Sequence, residues 1–402
     1  MRRRIPRLTA VLALALTTLV VAPALGAPGD REVPQTSDGV AGERVQPQAG
    51  PRADDVWTTL ATYPVSPGVT FEQFTLTGSR GVTRGQLVRI DAATPGVGFD
   101  LVAGRNVASR HDVAALMDPN AVVGINGDFF DIRDTDAPLG VARDRQRGIL
   151  NGVQSGWNSA FWTDEAGVPH IGDLYGDAVI RQRPALDITT VNSPSVRPGQ
   201  IGLYTKTWGT LRRYAVTDGT RRGVRMVIVR KGRVFSNRTT FPRVLRITDQ
   251  VLVGRGAGAG ALARLRAGQR VTTDVMLSQP AQMAITGNLF LLRDSVPVAQ
   301  DDVDLHPRTA IGIDRDTGQI LILVTDGRQA LSRGSTMKEL GALFLRLGAE
   351  DALNLDGGGS SILLTRQADG SLAVQNSPSD GHPRPVANGL QVTYDAPPVT
   401  TP

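Results

Sequence analysis

The chain has 402 residues and no cysteine, with 44 lysine and arginine residues against 38 aspartate and glutamate residues. The lack of cysteine excludes disulfides, zinc–thiolate sites and thiol nucleophiles, so a chain of this length must be stabilised by its hydrophobic core. The formal net charge of +6 becomes +2 without Arg2, Arg3, Arg4 and Arg7, which leaves little support for nucleic-acid binding.

Residues 1–27 have the order of a secretory signal peptide, with basic, apolar and then small residues. An uncleaved membrane anchor is the alternative. Cleavage is favoured, and it predicts a secreted, extracellular protein without membrane contact. Residues 28–55 are rich in Pro, Gly, Gln and charge, which predicts a disordered linker, and residues 397–402 form a similar tail.

The stretch 56–396 is predicted to be one compact catalytic body of α+β class, β-dominated, with mixed sheets and a few short helices. An inserted β subdomain at about 165–305 is compatible with the same pattern of short β-rich runs separated by turns. Residues 319–355 read as a strand–helix–strand crossover unit, and residues 256–260 as a loop. Predicted strands are 69–76, 86–90, 121–125, 225–230, 271–277, 309–313, 319–324 and 352–355, and predicted helices are 109–117 and 336–347.

A glycine-rich stretch follows a short apolar run near the C-terminus, in the order Asp356, Gly357, Gly358, Gly359, Ser360, Ser361. Consecutive glycines allow successive N–H groups to face one point, which suits an anion. A glycine-rich hairpin connection is the alternative. No Lys-Ser/Thr follows the glycines, which excludes a nucleotide P-loop. The final glycine of a nucleophile elbow is also missing, which excludes that motif.

Several other predicted strands end in polar residues, and strand ends are rigid platforms on which sites form. An Asp-Gly pair by itself is more often a turn, but three of them after buried strands favour a site. Arginines in His-Pro-Arg contexts, following His306 and His382, have the planar fork that grips phosphate. The polar residues concerned are Asn126, Gly127, Asp128, Arg308, Thr309, Asp326, Arg328, Asn354, Arg384 and Asn388.

Six segments in this order resemble the phosphodiester glycosidase family: 126–130, 287–294, 306–312, 325–328, 352–361 and 384–388. The resemblance extends over about residues 85–395, and the block Asn-Leu-Asp-Gly-Gly-Gly-Ser-Ser is highly specific. It implies a hydrolase that removes a sugar, typically N-acetylglucosamine, from a sugar-1-phosphate diester. With a signal peptide, the implied substrates are cell-wall or exopolysaccharide glycans.

The chemistry of that reaction agrees with the residues present. The phosphate monoester departs as a stabilised anion, so the main needs are a grip on phosphate and a carboxylate opposite the oxocarbenium ion. We assign phosphate binding to Arg308, Arg384 and the backbone of residues 357–359, and the base or nucleophile to Asp356 or Asp326. Asp128 is a third candidate carboxylate and, with Asn126, is expected to hold sugar hydroxyls. Gly127, Thr309, Arg328, Asn354, Ser360, Ser361 and Asn388 complete the expected substrate site.

Two other function classes compete with this hypothesis. A metal-dependent phosphodiesterase would use Asp128, Asp326 and Asp356 as oxygen ligands for Ca²⁺ or Mg²⁺. A non-catalytic carbohydrate-binding wall protein would need aromatic platforms, and only 5% of the chain is aromatic. The favoured hypothesis requires no cofactor, although a divalent cation is compatible with it, and it expects a glycan phosphodiester rather than nucleic acid as the partner.

Overall fold

The computed structural model describes residues 35–48 and 55–396. The predicted signal peptide, the tail 397–402 and the remainder of the predicted linker lie outside the described residues. Within the described part of the chain, no helix has the length and apolar character needed to cross a membrane.

Strands make up most of the described structure, as expected for a β-dominated chain. Numbered in chain order they are β1 Glu43–Arg44, β2 Val56–Ser66, β3 Val69–Gly78, β4 Gly81–Asp91, β5 Val97–Ala103, β6 Ala121–Asn126, β7 Ala142–Asp144, β8 Gly148–Val153, β9 Ser159–Thr163, β10 Pro169–Asp173, β11 Gly176–Ile180, β12 Thr190–Val191, β13 Ile201–Thr205, β14 Thr210–Arg212, β15 Val224–Arg230, β16 Arg233–Arg238, β17 Val244–Arg246, β18 Gln250–Arg255, β19 Thr273–Leu277, β20 Met283–Thr286, β21 Leu289–Arg293, β22 Val296–Pro297, β23 Asp304–Leu305, β24 Arg308–Asp314, β25 Gln319–Thr325, β26 Asp351–Asn354, β27 Leu363–Arg366, β28 Leu372–Val374 and β29 Asn388–Tyr394.

Three short α-helices accompany the strands in the described ranges: α1 Val113–Leu116, α2 Ala257–Leu262 and α3 Met337–Arg346. The loop predicted at 256–260 is wrong, because α2 begins there. Alanines alternate with glycines in α2, and alanine is the best helix former, while Gly258, Ala259 and Leu262 are buried. Three 3₁₀ turns lie at Lys206–Trp208, Ala215–Thr217 and Gly358–Ser360.

The predicted helix at 336–347 is present as α3, and its sequence explains both of its ends. Thr336 caps the N-terminus by accepting a hydrogen bond from Glu339 N, and the Glu339 side chain accepts one from Thr336 N, which completes a capping box. Leu340 and Phe344 bury one face of the helix. Gly348, with φ of 93°, follows the last turn, where glycine meets no steric penalty.

The predicted crossover unit is confirmed by the eight-stranded sheet, whose order is β2-β3-β4-β25-β24-β26-β21-β22. Strands β25 and β26 are both antiparallel to β24, so they run parallel to each other and are connected through α3. A five-stranded sheet has the order β28-β27-β6-β29-β5, and a ten-stranded sheet has the order β10-β9-β20-β7-β8-β12-β13-β18-β15-β16. The predicted fold class, β-dominated α+β with mixed sheets, is confirmed.

One large hydrophobic cluster contains buried side chains from the five-, eight- and ten-stranded sheets, including Ile125, Ile322 and Met226. Strands from the stretch 165–305 share the ten-stranded sheet with β7, β8 and β9, which precede it in the chain. The described residues belong to one compact unit. The stretch 165–305 is therefore joined to its surroundings by both backbone pairing and packing.

The sheets bring the polar strand ends to one place. Arg308, which begins β24, pairs with Thr325, which ends β25. Two residues further along β24, Ala310 pairs with Asn354 at the end of β26. In the five-stranded sheet, Gly389 of β29 pairs with Asn126 at the end of β6. This antiparallel register places the ends of β6, β25 and β26 beside the starts of β24 and β29.

Candidate active site

The loops after β6 and β26 are joined by direct hydrogen bonds. Asp356 N donates to Gly127 O at 3.0 Å, and Asn126 Nδ2 donates to Asp356 O at 2.6 Å. The Asn126 Oδ1 atom accepts from Thr309 Oγ1 at 2.8 Å and from Ile362 N at 3.1 Å. Asn126 therefore connects the two sheets beneath the site, and its side-chain polar atoms are used within the protein.

Asp356 is the carboxyl group at the centre of this junction, and its side chain is buried. Its Oδ1 atom accepts a hydrogen bond from Ser37 N at 2.9 Å, whereas Oδ2 has no hydrogen-bond partner among the described residues. Burial raises the pKa of Asp356 to about 6, Ser37 and Ser360 oppose the rise, and the charge of Asp38 adds to it. One oxygen of a buried carboxyl is thus left for a further contact.

Asp128 is a second buried carboxyl, and both of its oxygens are occupied. Oδ1 accepts from Thr286 N at 2.6 Å and Oδ2 accepts from Asn388 Nδ2 at 3.1 Å. Asn388 Oδ1 in turn accepts from Asp128 N at 2.9 Å. Burial raises the pKa of Asp128 to about 7, hydrogen bonds from Asn388 and Thr286 lower it, and the charge of Asp356 raises it further.

Asp326 has a different set of partners. Its Oδ1 atom accepts from Ser377 N at 2.7 Å and its Oδ2 atom from Gln86 Nε2 at 3.3 Å. Burial raises the pKa of Asp326, and these hydrogen bonds oppose the rise. No described hydrogen bond joins it to Asp128 or Asp356, and in the described ranges no three His, Cys, Asp or Glu side chains are grouped as a metal would need.

An anion already lies beside Asp356, and it is the carboxylate of Asp38. Its Oδ2 atom is 3.0 Å from Arg328 Nη1 and 3.0 Å from Arg384 Nη1, and it accepts from Gly359 N at 3.3 Å. Although burial opposes it, hydrogen bonds from Arg328, Thr36 and Val40 hold the pKa of Asp38 well below its usual range. Two arginines and one glycine N–H therefore form an anion-binding group, which we call the anion clamp.

Residues 35–48 reach the anion clamp from a distant part of the sequence. Ser37 Oγ accepts from Phe130 N at 3.0 Å, and β1 pairs with β23. The prediction of a disordered linker over 28–55 is wrong for these residues. The prediction considered local composition, whereas the partners that order the segment lie some 290 to 320 residues further along the chain.

Arg308 lies behind the clamp and is fully buried. It donates from Nε to Ser335 O at 3.0 Å, and from Nη2 to Gln35 Oε1 at 2.6 Å and to Asp304 O at 3.1 Å. Burial lowers its pKa to about 9. Arg308 thus contacts the N-terminal segment at Gln35, two residues away from the atoms that contact Asp356.

His306 packs against Arg328 and accepts its Nη2 hydrogen bond at Nδ1, at 2.9 Å. Burial, with the charges of Arg308 and Arg328, lowers the pKa of His306 to about 3, so the ring is neutral and can accept. Arg328 itself has φ of 59°, which is uncommon for a residue with a side chain. That conformation turns its guanidinium toward Asp38.

The three N–H groups of the glycine run do not all face the bound anion. Gly358 has φ of 63° and donates its N–H to Pro307 O at 2.9 Å, so Gly359 supplies the N–H that contacts the anion. A β-carbon on Gly359 would overlap the Arg384 guanidinium and Asp380 Oδ1. The absence of a side chain at Gly359 therefore allows Arg384 to reach the clamp.

The remaining predicted site residues divide into two groups. Asn354 Nδ2 donates to Asn288 Oδ1 and Leu355 O, both at 2.8 Å, so it holds the strand end. The hydroxyls of Ser360 and Ser361 are buried and have no hydrogen-bond partner among the described residues. Both serines are buried beside the glycine run, and Ser360 is close enough to the Asp356 carboxyl to lower its pKa.

Sequence reasoning missed Asp38, Ser37 and Gln35, because they lie in a stretch without a β-rich or helical pattern. It also missed Asp380, which accepts from Arg384 Nε at 2.7 Å and positions that arginine. Asp380 and Arg384 are only four residues apart, but the stretch between them is not helical, so the spacing alone does not predict the pair. No local signal connects Asp38 to its arginines.

The chain is similar in sequence to one protein family and in fold to several solved structures. Residues 223–393 match the family model described as phosphodiester glycosidase. The SPbeta prophage-derived protein YomE of Bacillus subtilis is 34% identical over 136 residues, which is 31% of this chain. The matched region is only 20% of that relative's length.

Solved structures show the same fold at low identity. A hypothetical protein from Synechocystis has a TM-score of 0.67 at 20% identity, covering 82% of this chain and 63% of that one. A Burkholderia pseudomallei protein that is named as exported has a TM-score of 0.68 at 17% identity, covering 88% of this chain and 99% of that one.

The catalytic domain of zebrafish N-acetylglucosamine-1-phosphodiester alpha-N-acetylglucosaminidase, auto-inhibited by its pro-peptide, has a TM-score of 0.45 at 16% identity. It covers 85% of this chain and 88% of that one. The family resemblance carried by the sequence motifs is confirmed by the match of residues 223–393 to the phosphodiester glycosidase model, which covers less than half of the chain.

Proposed function

We propose that this protein is a secreted hydrolase that removes a sugar, N-acetylglucosamine, from a sugar-1-phosphate diester in a wall polymer or exopolysaccharide. The observation that carries the proposal is the anion clamp beside Asp356. A phosphodiester has one negative charge, as the Asp38 carboxylate does, and arginine forks and backbone N–H groups are favourable partners for its oxygens. The match to the phosphodiester glycosidase model supports the same reaction.

In this proposal Arg328, Arg384 and Gly359 N hold the phosphodiester where Asp38 now lies. Water's oxygen ends on the anomeric carbon, the bond from that carbon to the phosphate oxygen breaks, and the phosphate leaves as a monoester. Asp356 is the base or nucleophile, because its Oδ2 is without a partner in the described residues. Asp128, with both oxygens hydrogen-bonded, is the neighbouring carboxyl, and the charge of Asp356 adds to the rise in its pKa that burial causes.

The predicted roles of Arg308 and Asp326 change in this proposal. Arg308 supports the N-terminal segment and strand β24, because its hydrogen bonds go to Gln35, Asp304 and Ser335. Asp326 supports the loop at Ser377. Arg328 takes over the phosphate contact assigned to Arg308.

The test is Asp356→Asn, assayed on a small N-acetylglucosamine-1-phosphodiester. We expect kcat to fall by about a hundredfold to ten-thousandfold, the usual contribution of a positioned base or nucleophile. Asp326→Asn is the matched control. The introduced asparagine side chain can still accept from Ser377 N, and the Gln86 amide can rotate to accept from its NH₂ group. We expect kcat to fall by less than about tenfold. Both are also assayed in an Asp38→Ala background, which clears the clamp.

Full activity of Asp356→Asn in both backgrounds would contradict the assignment. Hydrolysis in ¹⁸O-labelled water decides the class of reaction. Label on the sugar supports the glycosidase, whereas label on the phosphate would establish a phosphodiesterase instead.

A further inference from the structure

The region from Lys206 to Arg270 is strongly basic. It contains 16 lysine and arginine residues and two acidic residues, Asp218 and Asp249. Fourteen of the 16 basic side chains are exposed; Arg225 and Arg255 are half-buried. Across the described residues of this stretch, the ion pair found is Arg255 with Asp218, at 2.7 Å. Most of this positive charge therefore faces solvent without an acidic partner.

Three of these arginines form a row across adjacent strands at the edge of the ten-stranded sheet. Arg230 of β15 is the direct partner of Arg233 of β16, and Arg233 forms a bridge with Arg270 on its other side. Directly opposed residues of antiparallel strands share a face and lie about 5 Å apart. We call Arg230, Arg233 and Arg270, together with Phe235, the arginine face.

Phe235 gives the arginine face an aromatic surface. Its side chain is 54% exposed, although phenylalanine is among the residues most often buried. The Arg230 guanidinium lies over the ring, 3.9 Å from its centroid. The face thus combines a ring that can stack on a sugar with cations that can bind phosphate.

The face is held rigidly by its backbone. Lys231 and Gly232, with φ of 49° and 66°, form the two-residue turn between β15 and β16. Hydrogen bonds from Val234 N to Gln269 O and from Val271 N to Gly232 O, both 2.9 Å, fix the third strand-like segment. Asp249 Oδ2 accepts from Gly232 N at 3.3 Å, but it makes no ion pair with the row among the described residues.

Like charges directly opposite one another destabilise a sheet, so an anion that binds across the row lowers the energy of the folded protein. An anion with repeated charges and sugar rings matches both parts of the face. We propose that the arginine face binds a polymer whose sugars are joined by phosphodiesters, and that it holds this polymer while the site at Asp356 cuts it. The proposal rests on the proposed function, since it names the polymeric form of that substrate.

The test compares Arg230→Gln/Arg233→Gln/Arg270→Gln with a control that removes equal charge, Arg212→Gln/Arg222→Gln/Arg246→Gln. The control arginines are exposed and lie off the row. Binding to poly(N-acetylglucosamine-1-phosphate) is measured without turnover, by fluorescence anisotropy at physiological salt. We expect the face variant to bind at least about tenfold more weakly and the control within about threefold of wild type. Equal loss in the two variants would overturn the proposal.

Phe235→Ala tests the contribution of the aromatic ring, with Val244→Ala as its exposed apolar control. The same variant tests the arginine face if the triple variant does not fold. We expect Phe235→Ala to bind about fivefold more weakly, within the range of stacking on one ring. An effect no larger than that of Val244→Ala would contradict it.

Four comparison ligands distinguish the sources of attraction. They are single-stranded DNA at equal phosphate concentration, phosphatidylglycerol vesicles, neutral N-acetylglucosamine oligomers, and the small diester as a substrate. Equal or tighter binding to DNA, vesicles or neutral oligomers than to the polymer would overturn the proposal. The face variant is expected to retain wild-type kcat/KM on the small diester. A wild-type protein that binds the polymer but cleaves no diester would refute the proposed function and leave the face supported.

Discussion

At the scale of single residues, environment separates carboxyl groups that look equivalent in the sequence. Asp128, Asp326 and Asp356 each follow a buried strand and an apolar run. In the fold, hydrogen bonds occupy both oxygens of Asp128 and of Asp326, whereas Asp356 keeps one oxygen free in the described structure. The proposed function therefore assigns the role of base or nucleophile to Asp356.

The raised pKa of Asp356 predicts a pH-dependent stability. Its value of about 6 lies above that of an unfolded aspartate, near 3.9, so the folded state binds the proton more tightly. The associated stability is complete below about pH 4 and is lost as the pH rises through 6. Asp356→Asn removes this dependence, so its free energy of unfolding relative to wild type should rise by about 2 kcal/mol between pH 4 and pH 7.

Urea titrations at several pH values measure this difference. Asp369→Asn is the control, because Asp369 is exposed and hydrogen bonds from Ser371 lower its pKa, which gives the opposite sign. A relative stability of Asp356→Asn that is flat across this range would show that the carboxyl is not perturbed by burial.

At the scale of elements, a short segment occupies the place proposed for substrate. Residues 35–40 contact Arg308, Asp356 and the anion clamp, and Gly39 N closes a turn on Thr36 O at 3.2 Å. A phosphodiester cannot enter while the Asp38 carboxylate holds Arg328 and Arg384. The proposed function therefore requires this segment to move before substrate binds.

Asp38→Ala is expected to raise kcat/KM on the small diester by about tenfold or more, because it removes the competing anion and its charge-assisted hydrogen bonds. The gain should lie in KM. Glu43→Ala is the control, since Glu43 is exposed in the same segment and lies in β1 away from the clamp. Equal effects of the two substitutions would argue against competition at the clamp.

The cap of α3 is an element-scale feature with a measurable value. Thr336 accepts from Glu339 N at 3.1 Å and donates to Asp302 Oδ1 at 3.1 Å. Thr336→Ala should lower the free energy of unfolding by about 1–2 kcal/mol, as expected for a lost N-cap. Urea denaturation measures the loss. Thr239→Ala, at an exposed position outside the strands and helices, should change it by less than about 0.5 kcal/mol.

At the scale of the whole molecule, the hydrophobic core connects the sheets. The largest cluster holds Ile125 from the five-stranded sheet, Ile322 from the eight-stranded sheet and Met226 from the ten-stranded sheet. A shared core of this kind couples the unfolding of its parts. The stretch 165–305 should therefore not unfold independently.

We expect one coincident transition in urea by tryptophan fluorescence and by far-UV circular dichroism. Trp208, which is buried within the basic region, reports on the ten-stranded part, and Trp57 stacks on Phe74 in the eight-stranded sheet. Single-tryptophan variants that keep Trp57 or Trp208 should give the same midpoint. Separate midpoints would show that residues 165–305 form an independent subdomain.

The sequence by itself determined the buried strands that lead into the site and the places where they end, because an apolar run followed by Asn, Asp and Gly encodes a buried strand and its turn together. It also contains the motifs that resemble the phosphodiester glycosidases, and residues 223–393 match the model of that family. The motif residues meet at one junction of the fold: Asn126, Asp128, Asp356, Arg384 and the glycines.

Only the tertiary structure decided what each of these residues contacts. The Asp38 carboxylate meets Arg328 across 290 residues of sequence, and the row of Arg230, Arg233 and Arg270 exists only after three strands pair. Such contacts depend on sheet order and register. Local propensity does not determine sheet order or register, because it does not depend on which strands become neighbours.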